Sequence, residues 1–142
     1  MKAIALIVLC LTAVFSGCSG VTSRVRQGRV LEVIDQKPER GGYFETIGIG
    51  ASDPLLPTET QRRALSRDAA IVKAQYEMLS MIKGVRLEGG VTVDRALEVD
   101  SRLEARIMQT IKGAAVIKSE FTKDNGCVVT LRLDKDKIGQ DL

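Results

Sequence analysis

The Asn125-Gly126 pair, set between the β-rich runs Ala115 to Lys123 and Cys127 to Asp134, constrains this chain more than any other local signal. Asn and Gly tolerate the positive φ that a tight reversal between twisted strands demands, so the turn Asp124-Asn125-Gly126 predicts a β-hairpin. Alternation gives its two strands one apolar face, Ala115, Ile117, Ser119 and Phe121 on the first and Cys127, Val129, Leu131 and Leu133 on the second. Lys118, Glu120 and Arg132 then point the other way. A two-stranded ribbon is marginal alone, and helices elsewhere in the chain must cover the apolar face.

Two helices are predicted upstream. Pro54 and Pro57 stiffen a turn, and Thr58-x-x-Gln61 has the form of a capping box. A helix should therefore run from Glu59 to about Lys83, where Gly84 suits a left-handed stop. Along it Leu65, Ala69, Val72, Tyr76 and Leu79 recur at alternating intervals of four and three, the pattern of a buried stripe, with Tyr76 in the core. Ala96, Val99, Leu103, Ile107 and Ile111 define a second helix that ends before Gly113. Between the helices, Val85 to Val93 alternates around Gly89-Gly90 and fits a short hairpin or a projecting loop.

Before the first helix, Tyr43 to Ala51 reads as a strand whose Gly48 and Gly50 admit the backbone of a neighbour. A phosphate-binding loop is disfavoured, since the third glycine is missing and Asp53-Pro54 stands where a helix would open. The order is strand, helix, helix, strand, strand. It predicts an α+β fold over residues 43–134, a small antiparallel sheet of about three strands packed by two helices, followed by a flexible charged tail at 135–142.

The amino end carries a different message. Lys2, the apolar stretch Ala3 to Val14, and the small pair Ser16-Gly17 lead to Cys18, as in a secretory signal too short to span a bilayer. Leu11 to Cys18 resembles the lipobox of bacterial lipoproteins, which implies cleavage of residues 1–17 and acylation of Cys18. Phe15 departs from the usual aliphatic residue at its position. Each buried methylene of an acyl chain contributes about 0.8 kcal/mol, so two or three chains anchor a protein durably. Ser19 is compatible, under the enteric sorting rule, with transfer to the outer membrane, and residues 18–42 then form a tether with the domain in the periplasm. Arg24, Arg26 and Arg29 in that tether read as solvated, and Val30 to Ile34 as a segment able to pair with a sheet edge.

Composition narrows the function. Histidine is absent, which removes the commonest general base and metal ligand; no enzyme, cofactor or metal site is expected. A net charge of +3 is too small for a nucleic-acid partner. With Cys10 in the signal and Cys18 acylated, Cys127 is the only remaining thiol and reads as a small core residue. Asp94, Glu98, Asp100 and Glu104 could supply paired carboxylates to a hydrolase, but the same spacing suits the wet side of a helix.

Gln61-Arg62-Arg63-Ala64, the alanine-rich helix through Tyr76 and Leu79, Gly84-Val85-Arg86-Leu87, Thr92-Val93 and Ile111-Lys112-Gly113-Ala114 together resemble the LPP-type, FlgP-like family of outer-membrane lipoproteins. The resemblance covers roughly Thr46 to Asp134. It implies a structural subunit, a homo-oligomer forming a ring or disk around the flagellar motor or contacting other envelope proteins, and it carries over no catalytic residue. Val30 to Ile34 and a face bearing Val116 and Val128 are the candidate contact regions. The competing expectation is a lipid-anchored binding module for a small molecule or peptidoglycan fragment, held in a cleft between sheet and helices.

Overall fold

The computed structural model describes residues 22–31, 41–86, 90 and 92–139. Cys18, the signal segment, and residues 32–34 of the expected edge segment lie outside them. The described elements run β1 (Val25–Arg26), β2 (Arg29–Val30), β3 (Tyr43–Gly50), α1 (Glu59–Lys83), α2 (Val93–Val99), α3 (Ser101–Lys112), β4 (Ala115–Phe121), β5 (Cys127–Asp134) and α4 (Lys135–Gly139). The domain is α+β, a three-stranded antiparallel sheet in the order β3-β5-β4 packed against the long helix α1.

β5 takes the centre because it is apolar on both sides. Cys127, Val129 and Leu131 join the helix-side core, while Val128 and Thr130 on the opposite face are 1 % exposed. Expected alternation between a dry and a wet face therefore fails on this strand, as it should on one flanked by neighbours and covered on two sides. Tyr43 pairs with Asp134 and Gly50 with Cys127, so β3 runs along the whole of β5.

On the other edge, the register of β4 shifts between Val116 and Lys118. Val116 consequently lies opposite Leu131, whereas Val128 lies opposite Glu120. This corrects the expected common face: Val116 and Val128 sit on opposite sides of the sheet, and Ala115 and Ile117 do not continue the row of Ser119 and Phe121. A bulge also disrupts the edge ladder, a common protection against edge-to-edge pairing.

The capping box at α1 forms as expected. Thr58 Oγ1 accepts from the Gln61 amide at 3.2 Å, and the Thr58 amide donates to Gln61 Oε1 at 3.3 Å; such a cap contributes about 1 kcal/mol. At the far end, Gly84 has φ −75°, so the helix closes in a right-handed turn with the Gly84 amide on Met81 O, not in the left-handed stop expected.

The buried face of α1 lies on the opposite side of the helix from Leu65, Ala69, Val72 and Tyr76 of the expected stripe, while Leu79 packs partly against the core. Ser66, Ala70, Ala74, Met78 and Ile82 face the core, while Leu65, Val72 and Tyr76 are exposed. The cause lies in β3. A Cβ on Gly48 would fall 1.9 Å from Ala70 O, and one on Gly50 1.9 Å from Ser66 O. The helix rests backbone to backbone on the glycines, so only its small residues fit beneath it, and Thr46 Oγ1 donates to Ala74 O at 2.9 Å in the same seam.

Three further features concern the connections. The second predicted helix is two, because Asp100 leaves helical geometry and its Oδ1 accepts from Arg102 N and Leu103 N to start α3. Leu103, Ile107 and Ile111 are buried as expected. The segment between α1 and α2 closes through an antiparallel bridge of Arg86 with Thr92. Finally, the expected frayed tail begins with α4, which buries Ile138 and ties Lys135 N to Gly42 O at 2.8 Å.

Candidate functional site

The outer surface of α1 is the most unusual feature of the domain. Leu65, Val72 and Tyr76 are 48 %, 49 % and 62 % exposed, and Ala69 between them is exposed as well. At 100° per residue, these positions point directly away from Ala70, Ala74 and Met78. An apolar row of this length, opposite a face already committed to the core, is a contiguous apolar patch rather than scattered exposure. Polar residues flank it. Asp68 is exposed and has no ion-pair partner among the described residues, while Lys73 pairs with Glu77 at 2.7 Å along the same helix.

A second feature occupies the opposite side of the sheet. Part of the expected tether is an ordered two-stranded ribbon, in which Gln27 and Gly28 have φ 53° and 75°. Both left-handed residues together make the two-residue turn that matches strand twist. Glycine is favoured at position 28 by its φ of 75°, and a Cβ there would also have to displace the Lys123 side chain, whose Cγ would lie 2.2 Å away. The ribbon is fastened to β4 through one carboxylate. Ser23 Oγ donates to Glu120 Oε1, Arg24 N donates to Glu120 Oε2 at 2.7 Å, and Lys118 Nζ stands 3.5 Å away. A second tie joins Lys123 N to Gly28 O at 3.0 Å. Burial works against ionisation of Glu120, but the Ser23 and Arg24 hydrogen bonds and the Lys118 ammonium outweigh it and hold the carboxyl below the usual glutamate range.

The depressed pKa fixes the sign of a pH effect. Docking of the ribbon is fully stabilised above the ordinary glutamate pKa of about 4.3 and weakens as pH falls through the lower folded value. At neutral pH, Glu120→Ala is expected to speed tryptic cleavage after Arg26 and Arg29 about tenfold, the scale of a lost charge-assisted hydrogen bond. Equal cleavage of variant and parent would show that Glu120 does not hold the ribbon.

Between the ribbon and the β4–β5 loop lies a groove of about 670 Å³ bordered by Val30, Ile49, Thr122, Lys123 and Cys127. Its apolar floor bears few polar groups. Cys127 is a fully buried free thiol, and burial pushes its pKa up, away from the reactive thiolate.

The acidic residues considered for hydrolysis are dispersed into local duties. Asp94 pairs with Lys83 at 3.4 Å, and Asp100 caps α3. Glu98 and Glu104 are exposed. On the outer face of the sheet, Arg132 donates from both Nε and Nη2 to the single oxygen Glu45 Oε2, at 3.3 and 2.8 Å, and stacks over Tyr43 at 4.1 Å. Among the described residues, no group of three or more Cys, Asp or Glu side chains is placed to hold a metal ion, and no helix is long and apolar enough to cross a membrane.

Sequence reasoning missed two of these features. The ribbon was signalled by Gln27-Gly28 between Val25-Arg26 and Arg29-Val30, runs too short to register as strands. The outer stripe was seen, but assigned to the core. No protein-family model, curated protein or solved structure matches the chain.

Proposed function

We propose that this chain is a non-enzymatic lipoprotein of the bacterial outer membrane, anchored through acyl chains on Cys18 and acting as a structural or assembly subunit of the envelope. Support for anchoring comes from Lys2, the apolar run Ala3 to Val14, and Ser16-Gly17-Cys18. The observation that carries the assembly role is the outward apolar row Leu65, Ala69, Val72 and Tyr76 on a helix whose other face is already packed. A periplasmic domain on a lipid tether meets its neighbours at raised effective concentration, so a modest contact surface can hold an assembly together. The resemblance to LPP-type, FlgP-like proteins makes the flagellar basal disk or ring the specific assembly we propose.

Crosslinking in isolated outer membranes tests this reading. A ladder of multiples of the chain is expected, and Val72→Asp should collapse it while leaving the fold intact. In a deletion strain, images of flagellar motors should lack a basal disk. A chain that stays monomeric at membrane density, or unchanged motors, would remove the assembly role or its flagellar form respectively.

The groove between ribbon and hairpin favours a second reading, a binding module for a small apolar molecule or peptidoglycan fragment. Native mass spectrometry of material purified from cells should then reveal a retained ligand.

A further inference from the structure

The exposed row on α1 has the periodicity of a coiled-coil seam. Leu65, Ala69, Val72 and Tyr76 follow one another by four, three and four, which places Leu65 and Val72 at d positions and Ala69 and Tyr76 at a positions of a heptad, the exposed row ending before Leu79, which packs partly against the core. Ala74, at an f position, is fully buried against the sheet, so the seam and the core contact use opposite sides of one helix. This accounts for the outward stripe: the sequence encodes two faces, and the domain satisfies only one.

We propose that the outer face of α1 docks the same face of a second copy, the two helices parallel and in register around a two-fold axis. This proposal rests on the assembly reading above and names its contact. Charge selects the partner and its orientation. In a parallel pair, the g position of one helix faces the e position five residues later on the other. Asp68 is a g residue and Lys73 the e residue five positions on, so two symmetric Asp68–Lys73 pairs flank the seam. Asp68 has no ion pair among the described residues, and Lys73 is 59 % exposed on its side chain. An antiparallel pair would set g against g and e against e and lose this match. Fewer than two heptads make a short seam, weak in dilute solution; confinement to a membrane supplies the effective concentration that it needs. Such a dimer is isologous and closed, and any larger ring would be built from these pairs through another surface.

The test uses the full-length chain in isolated membranes, with single cysteines at Ala69 or Val72 and, as control, at the exposed Lys112 of α3. Oxidation is expected to give disulfide-linked homodimers at positions 69 and 72 and not at 112. Asp68→Lys should reduce the crosslinked fraction about tenfold by setting like charges against each other, and Asp68→Lys combined with Lys73→Asp should restore it. Circular dichroism of each variant checks that the fold is retained. Absence of homodimer at 69 and 72 in membranes that retain the chain overturns the pairing while leaving the anchor standing. Crosslinking to a different protein, or failure of the double swap to rescue, overturns the identity or the orientation of the partner. Loss of the chain from the membrane fraction instead contradicts the anchoring on which the assembly reading rests.

Discussion

Gly48→Ala is expected to destabilise the domain by about 3 kcal/mol, the upper range for an overpacked site, and to lower Tm by about 10 °C. The added methyl would sit 1.9 Å from Ala70 O and 2.5 Å from Ala74 N. Both are backbone atoms of α1, so no rotamer change relieves the overlap. The helix must lift from β3, and lifting it separates the core residues Met78 and Ile82 from Val129 and Leu131. Gly50→Ala meets Ser66 O at the same 1.9 Å and should behave alike. Gly42→Ala is the control, because nothing lies within 4 Å of its Cβ position, and it should stay within about 0.5 kcal/mol of the parent. Thermal unfolding followed by circular dichroism reads all three. A Gly48→Ala protein that melts with the parent would mean that α1 and β3 are not in backbone contact.

The second large effect concerns location. Cys18→Ser leaves a hydroxyl where the acyl chains would be attached, and with them goes a membrane affinity built from about 0.8 kcal/mol per buried methylene. The expected result is a complete shift of the chain out of the outer-membrane fraction, into uncleaved precursor or soluble material. The fold should be untouched, because the described contacts lie among residues 22–31, 41–86, 90 and 92–139. Fractionation and immunoblotting measure the shift. A Cys18→Ser chain that still partitions wholly with the outer membrane would exclude lipid as its anchor. Crosslinking of the released chain should also fall, since the seam on α1 loses the high local density that membrane confinement provides.

The local elements were legible wherever a short-range rule determined them. Thr58 and Gln61 marked the start of α1 through reciprocal hydrogen bonds, and Asn125 with Gly126 marked the hairpin. Its details differ, in that Asn125 alone is left-handed, at φ 63°, within a loop from Thr122 to Gly126. Gly48 and Gly50 announced a close neighbour and have one. What could not be read was which neighbour. The inward face of α1 depends on a strand ten or more residues earlier, and large apolar side chains draw a periodicity reading away from the small residues that a glycine-lined strand demands. Asp100-Ser101 carried a recognisable cap signal, hidden because the apolar repeat continues across the break. Ile138 stands alone among charged residues, and its burial follows from tertiary contact that no local pattern reveals.

The candidate site divides in the same way. Cys18 is a sequence feature, read from the composition and spacing before it. The apolar seam is a joint result, since its period is in the sequence but its outward direction is visible only once the other side of α1 is placed on β3. Glu120 and the ribbon it holds depend on the fold altogether, because Ser23 and Arg24 lie nearly a hundred residues away in the chain.

Intact-mass measurement of the mature protein extracted from outer membranes tests the central claim most directly. The account predicts a chain beginning at Cys18 and heavier than its polypeptide by a diacylglyceryl group on the sulfur, with a further acyl chain on the amino group. A mature chain of bare polypeptide mass, with the Cys18 sulfur unmodified or removed by cleavage beyond it, would contradict the account.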